Sequence, residues 1–199
     1  MRKVRIIEHI SLDGVIQAPG GPEEDREGGF AYGGGAFPFR DPQVGAAVDA
    51  AHGKGFDILL GRTTYDIFAG YWPKQEGPMA DSLNGARKFV ATHRPDSLDW
   101  GPVESLGKDV ATGIAKVKAA GGPDLIVWGS SSLTSLLISE GLADEVVLLV
   151  FPVLIGRGKR LFSDEFPPSG LELIDSKSVP SGVIISTYKP AGAMRTGSF

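Results

Sequence analysis

The sequence of 199 residues contains no cysteine. This absence excludes a disulfide framework, a cysteine nucleophile, a thiolate zinc site and an iron–sulfur cluster. The three histidines, His9, His52 and His93, lack the spacing of paired metal ligands. We therefore expect no metal site, and we assign His9 to a strand position and His52 to a helix end.

Strong charge of one sign and long apolar segments are also missing. Twenty basic residues against 24 acidic ones give a net charge of −4, so the clustered positive charge of a nucleic-acid binder is not expected. No apolar run approaches the roughly 20 residues of a membrane-spanning helix, and the N-terminus lacks the apolar region of a signal peptide. We expect a cytoplasmic protein without nucleic-acid or membrane partners, folded as one domain over residues 1–199.

Short apolar segments alternate with helical patterns along most of the chain. The helical patterns cover residues 41–53, 62–68, 109–120 and 133–140, and the last two predicted strands follow each other without a helix between them. Alternation predicts a parallel sheet with helices on both faces, and the final pair predicts an antiparallel C-terminal edge. The expected fold is a three-layer α/β structure with strands at 4–10, 56–60, 87–92, 124–128, 145–154, 171–176 and 183–189.

The segment 11–40 shows neither strand nor helix periodicity. It contains Pro19-Gly20-Gly21-Pro22, the acidic run Glu23-Glu24-Asp25 and three consecutive glycines at 33–35. A loop of this length in a compact domain usually has a functional reason. The segment is either a functional loop or a disordered insertion, and the sequence favours neither.

Two turns share one pattern, in which an apolar strand ends in glycine, hydroxyl residues follow and a helix begins. A helix N-terminus offers unpaired N–H groups and a partial positive charge, which suit phosphate oxygens. The alternative is that serine and threonine only cap the helices. A third strand end adds a hydroxyl, an imidazole and a guanidinium, and together these features favour a dinucleotide site. The predicted binding residues are Gly61, Arg62, Thr63, Thr64, Thr92, His93, Arg94, Gly129, Ser130, Ser131 and Ser132.

Standard nucleotide-binding fingerprints are absent. The sequence has no Gly-x-x-x-x-Gly-Lys-Ser/Thr and no Gly-x-Gly-x-x-Gly after a strand. P-loop chemistry and an ordinary Rossmann fold are therefore not expected.

Four motifs in register resemble the dihydrofolate reductase-like superfamily. The resemblance is closest to the reductase domain of the bifunctional riboflavin-biosynthesis deaminase/reductase and its stand-alone relatives, and it extends from about residue 4 to residue 189. The motifs are Ser11-Leu12-Asp13-Gly14, Gly61-Arg62-Thr63-Thr64-Tyr65, Gly129 with Gly141-Leu142-Ala143-Asp144-Glu145, and residues 151–162.

This resemblance implies NADPH as hydride donor, an eight-stranded sheet with a C-terminal hairpin, and a homodimer. By position, residues 61–64 would meet the cofactor phosphates, 92–94 the 2′-phosphate end and 129–132 the pyrophosphate. Dihydrofolate reductases carry an acidic residue on the helix after the first long loop. This sequence has Gly45 there, with Asp41 and Asp49 one turn to either side, which argues against folate reduction.

The leading hypothesis is an NADPH-dependent reductase of a flat, polar heterocycle. A pyrimidine such as 5-amino-6-ribosylaminouracil phosphate, or a pteridine, is the expected substrate. Asp13 is the first catalytic candidate because it follows the first strand; its alternative is an Asx-turn beside Gly14. Asp49 is the second candidate, as a proton donor. The rival hypothesis is a non-enzymatic nucleotide-binding or dimeric interaction module on the same fold.

The apolar segment 145–162 resembles a region near subunit contacts in riboflavin-type reductases. The alternative is a buried central strand followed by a solvated turn. Symmetric dimers are the commonest oligomers of soluble proteins. We expect a homodimer, with this segment as the candidate interface.

Overall fold

The computed structural model describes residues 1–162 and 166–198. In this part, α-helices separate successive strands up to the sixth, except between the third and the fourth. The strands are β1 (Val4–Ser11), β2 (Phe56–Gly61), β3 (Lys88–Ala91), β4 (Val103–Ser105), β5 (Asp124–Trp128), β6 (Glu145–Phe151), β7 (Ser169–Ser178) and β8 (Ile184–Ala193), and the helices are α1 (Pro42–His52), α2 (Arg62–Tyr71), α3 (Pro78–Gly85), α4 (Val110–Ala119) and α5 (Ser131–Ser139).

The strands form a mixed sheet in the order β4-β3-β2-β5-β1-β6-β8-β7. The pairs among β1 to β6 are parallel, whereas β8 runs antiparallel to β6 and β7 antiparallel to β8. A short connection allows only antiparallel pairing, and parallel pairs need crossovers. The predicted sheet with an antiparallel C-terminal edge is confirmed.

Helices cover both faces of this sheet. On one face, α1 packs Val44 and Val48 against Ile7 of β1, and α2 and α3 cover β2. On the other face, α4 and α5 contribute Ile114 and Leu133 to a cluster with Ile6. Successive β1 residues thus point to opposite helical layers, as strand geometry requires, and the three-layer fold is confirmed.

The structure adds two elements that the pattern did not predict. Strand β4 has three residues and an exposed central position, Glu104, so its apolar signal is weak. Helix α3 ends in Asn84 and Gly85, which are poor helix formers.

Strand β6 ends at Phe151, earlier than predicted, because Pro152 has no N–H for the ladder.

The long segment after β1 is a packed loop rather than a disordered insertion. Val15, Ala18 and Phe30 form a small buried cluster. The Ile16 amide donates to the Lys159 carbonyl at 2.9 Å. These contacts fix the loop against the turn that follows β6.

Strand β6 lies between β1 and β8, so residues 145–151 belong to the centre of the sheet. The alternative given for this segment, a buried central strand, is the one that the structure adopts. The strand therefore offers no free edge for a subunit contact. No helix in residues 1–162 and 166–198 has the length and apolar character needed to cross a membrane.

Candidate functional site

A cleft of about 1030 Å³ opens at the carboxyl ends of the parallel strands. Residues of β1, β2, β5, α1, α2, the start of α5 and the loop after β1 line it. In open α/β sheets, ligands bind where neighbouring strands continue to opposite faces. Strands β2 and β5 are such neighbours, because β2 leads to α2 on one face and β5 leads to α5 on the other.

The two predicted glycine turns meet in this cleft and are joined by one serine. The Gly61 amide donates to Ser130 Oγ at 2.9 Å. The Ser130 hydroxyl donates to Thr64 Oγ1 at 2.9 Å. The ends of β2 and β5 are thereby held in a fixed relation.

Glycine gives the two turns room to approach each other closely. A Cβ atom on Gly129 would lie 3.0 Å from Thr64 Oγ1, and one on Gly61 would lie 3.0 Å from Ser130 Oγ. Gly129 also has a φ of +58°, and Ser130 follows with a φ of +61°, a conformation that L-residues rarely adopt. Larger residues would separate the turns.

The N-termini of α2 and α5 face the cleft from opposite sides. Helix α2 begins at Arg62 and α5 at Ser131, and residues 62–64 and 131–132 line the cleft. The first-turn N–H groups of a helix have no partner within the helix. Two sets of such donors, with little side-chain bulk above them, fit the diphosphate of a dinucleotide.

The side chain of Arg62 holds the turn after β3. Its guanidinium donates to the Arg94 carbonyl at 2.9 Å, to Ser97 Oγ at 2.8 Å and to Asp66 at 2.8 Å. It also approaches Thr92 Oγ1 at 3.5 Å. These bonds occupy the guanidinium, and the contact of Arg62 with a phosphate stays a prediction. Its backbone N–H remains at the cleft.

The turn after β3 places Thr92, His93 and Arg94 near the Arg62 end of the cleft. Thr92 Oγ1 accepts the Arg94 amide at 3.0 Å. The Arg94 side chain is 67% exposed and lies 3.5 Å from Asp66. His93 is exposed, and none of the three residues lines the cleft itself. Within this turn, Arg94 is the cation with room to bind an anion.

Asp13 is bound to the turn that follows β6. Its carboxylate accepts hydrogen bonds from Ser11 Oγ at 2.6 Å and from the amides of Gly156 at 2.7 Å and Ile155 at 3.1 Å. These bonds, the Ser11 hydroxyl first, lower the pKa of Asp13 to about 2. Asp13 does not line the cleft. An ionised, occupied carboxylate outside the cleft does not suit a catalytic group. The carboxylate does not form the Asx-turn alternative either, because the Val15 amide donates to Ser11 Oγ.

We predict that Asp13→Asn destabilises the fold by about 1–2 kcal/mol at pH 7, because charged hydrogen bonds are lost. The folded pKa lies below the ordinary value of 3.8. The stabilisation by Asp13 is therefore full above pH 4 and is lost as the pH falls towards 2. Chemical denaturation at several pH values measures the free energy of unfolding of the variant and the wild type, with a substitution of the exposed residue Asp99, Asp99→Asn, as control. Unchanged stability together with a loss of turnover would restore Asp13 as a catalytic residue.

Asp49 lies on the outer side of α1. Val44, Val48 and His52 form the buried side at a spacing of four residues, and Asp49 stands about 100° around the helix from Val48. It is exposed and does not line the cleft. The structure therefore does not support the predicted proton donor.

An aromatic chamber, formed by His9, Val48, His52, Met79 and Trp128, lies at the α1 end of the cleft. The Trp128 indole N–H donates to His52 Nε2 at 3.1 Å. Burial lowers the pKa of both imidazoles to about 4. Both rings are therefore neutral at pH 7, and a neutral His52 carries its proton on Nδ1.

The sequence patterns predict structural positions for His9 and His52 and give no signal for Glu8. His52 is four residues beyond Val48, and this spacing alone could have placed it on the inner side of α1. Glu8 is a charged residue inside an apolar strand and is 3% exposed. Such a residue is rarely buried without a specific role.

Comparison with known proteins agrees with this geometry. The family model described as the RibD C-terminal domain matches residues 2–185. The chain belongs to the RibD C-terminal domain family. This membership confirms the resemblance seen in the sequence motifs, and the family and fold together indicate a reductase.

Two Bacillus subtilis relatives of this RibD C-terminal domain protein are uncharacterized. YyaP is 29% identical over 136 residues, which cover 66% of this chain and 72% of YyaP. YwjB is 25% identical over 129 residues, which cover 63% of this chain and 69% of YwjB. These relatives extend the family without assigning a substrate.

Three solved structures are similar to this chain in fold. A putative riboflavin biosynthesis protein from Shewanella sp. PV-4 superposes with a TM-score of 0.65 at 22% identity, covering 94% of this chain and 98% of that one. A pyrimidine reductase-like protein from Corynebacterium diphtheriae gives 0.64 at 15% identity, covering 98% and 93%. Dihydrofolate reductase from Enterococcus faecalis, complexed with NADP(H), gives 0.58 at 16% identity, covering 95% and 96%. At these identities the likeness shows the RibD-type fold.

Proposed function

We propose that this protein is an NADPH-dependent reductase of a flat, polar heterocycle. The observation that carries the proposal is the pair of helix N-termini, of α2 and α5, that Ser130 joins at the switch point of the sheet. This arrangement supplies backbone donors from two directions to one diphosphate.

The remaining parts of a dinucleotide follow the order of the strands. Strands β3, β2, β5 and β1 are successive neighbours in the sheet. The 2′-phosphate would lie at Arg94 after β3, and the diphosphate between β2 and β5. The nicotinamide end would then reach the end of β1, beside the aromatic chamber.

When bound, NADPH supplies the hydride, so the chain needs to orient two ligands and exclude water. The aromatic chamber offers ring surfaces and neutral imidazoles to a planar substrate. His9 and Trp128 have ring centroids 5.3 Å apart, and His52 and Trp128 5.7 Å apart. A pyrimidine or a pteridine matches these surfaces, since such rings stack on aromatic side chains and accept hydrogen bonds at their edges.

NADPH binding and oxidation test the proposal. Thermal stabilisation by NADPH alone measures cofactor binding, and a decrease in NADPH absorbance across a panel of pyrimidines and pteridines measures reduction. We expect both signals, the second with at least one heterocycle. Stabilisation without turnover on any heterocycle would favour the rival module, and no stabilisation would contradict the cofactor site itself.

We also propose a homodimer that uses the C-terminal hairpin rather than β6. Strand β7 is an edge strand with exposed apolar residues, among them Leu173 at 55% and Ile174 at 56% exposure. Exposed apolar edges of this kind mark association surfaces. Light scattering should give twice the chain mass of 21.0 kDa, and Ile174→Lys should return it to the monomer. A monomeric wild type would contradict the proposal.

A further inference from the structure

A buried carboxyl group, one of whose oxygens has no hydrogen-bond partner among the described residues, lies in the cleft beside the Gly129 turn. Glu8 is 3% exposed, and its Oε1 atom is buried and has no partner among the described residues. Glu8 is nevertheless one of the residues that line the cleft. Leaving such an atom unpaired costs stability, so a ligand that pairs with it is the natural explanation.

Strand geometry fixes the direction of Glu8. Ile6 packs in the cluster of α4 and α5, and Ile7 packs in the cluster of α1. Because side chains alternate along a strand, Glu8 points to the α5 side and His9 to the α1 side. Glu8 is thus on the diphosphate side of β1, separate from the aromatic chamber.

The register of β1 and β5 places Glu8 level with the Gly129 turn. Ile7 pairs with Trp128, so the next residues along both strands are Glu8 and Gly129. In a dinucleotide, the group covalently attached to the diphosphate on the nicotinamide side is a ribose. A carboxyl group at this level would meet that sugar before it met the nicotinamide ring.

We propose that Glu8 binds the hydroxyl groups of the ribose between the diphosphate and the nicotinamide. This inference rests on the proposed NADPH function. Ribose hydroxyls both donate and accept hydrogen bonds, and a carboxyl group can form a pair with them. Burial raises the pKa of the Glu8 carboxyl well above its ordinary value, and the Gly129 backbone acts in the opposite direction.

Cofactor fragments of increasing length test the assignment by calorimetry. The ligands are 2′-phospho-ADP, which lacks the ribose of the nicotinamide side, 2′-phospho-ADP-ribose, which has this second ribose without nicotinamide, and NADPH. For Glu8→Leu we expect about a tenfold loss of affinity for the two ligands that carry the second ribose, the loss of about one good hydrogen bond. Affinity for 2′-phospho-ADP should stay within about twofold by the same reasoning. Glu8→Gln should retain most of the affinity, and the exposed Glu104→Gln should change none.

The other outcomes separate the possible errors. A loss confined to NADPH would mean that Glu8 contacts the nicotinamide, and an equal loss for all three ligands would mean that it only supports the Gly129 turn. Either result overturns the ribose assignment while keeping the cofactor site. Failure of the wild type to bind any of the three ligands would contradict the proposed function, and the inference would fall with it. Circular dichroism of both Glu8 variants checks that the fold is retained.

Discussion

Ser131→Leu is expected to lower NADPH affinity by at least about 100-fold while leaving the fold intact. Ser131 is the first residue of α5 and lines the cleft. A leucine side chain there would occupy the space above the helix N-terminus, and the diphosphate would lose several charge-assisted hydrogen bonds of about 1.5–3 kcal/mol each. Fluorescence titration with NADPH measures the loss.

Ser139→Leu provides the matched control for this variant. Ser139 is the last residue of the same helix, is exposed and lies outside the cleft. The Ser139→Leu variant should bind NADPH like the wild type. Both variants should have unfolding temperatures within a few degrees of that of the wild type. Normal NADPH binding by Ser131→Leu would show that the Gly129 turn only caps a helix.

Arg94→Ala is expected to remove most of the preference for NADPH over NADH. A charge-assisted contact to the 2′-phosphate is worth about 1.5–3 kcal/mol, so NADPH affinity should fall at least tenfold and NADH affinity should not change. Arg62→Ala should weaken both cofactors, because its guanidinium holds the turn through Ser97 and the Arg94 carbonyl. The double variant should show no preference. Competition titrations with the two cofactors measure these differences.

Arg87→Ala is the control for a change of surface charge. Arg87 precedes β3 at the opposite end of the sheet and pairs only with the exposed Glu104 on the neighbouring strand among the described ion pairs. Its removal should leave both affinities unchanged. If Arg94→Ala lowered NADPH and NADH affinity equally, the 2′-phosphate would have to bind elsewhere.

The elements with strong periodicity could be predicted from the sequence. Strand β5 and the inner side of α1 matched their patterns, because each carries a regular run of apolar residues. The order of the strands in the sheet could not be read from these patterns, since it depends on contacts between segments far apart in sequence. β1, for example, pairs with both β5 and β6.

The backbone parts of the site were also accessible from the sequence. A glycine at a strand end followed by hydroxyl residues predicts a turn and a helix start at 61–64 and 129–132, and the structure places both at one cleft. The link through Ser130 was not accessible, because a hydrogen bond from Gly61 spans 69 positions of the chain.

The side-chain chemistry was harder to predict. Asp13 seemed a catalytic candidate because it follows a strand, yet amides of the turn after β6, 142 and 143 positions away, occupy its carboxylate. Glu8 could not be identified from the sequence, because one acidic residue in an apolar strand gives no motif. Only the packing of α5 against β1 shows that it is buried beside the Gly129 turn.

A direct titration of the wild-type protein with NADPH and with NADH tests the central claim most directly. We expect saturable binding of NADPH at one site per chain, at least tenfold tighter than NADH, because of one charge-assisted phosphate contact. Equal affinities would contradict the role of Arg94. No binding of either cofactor would contradict the reading of the cleft as a dinucleotide site.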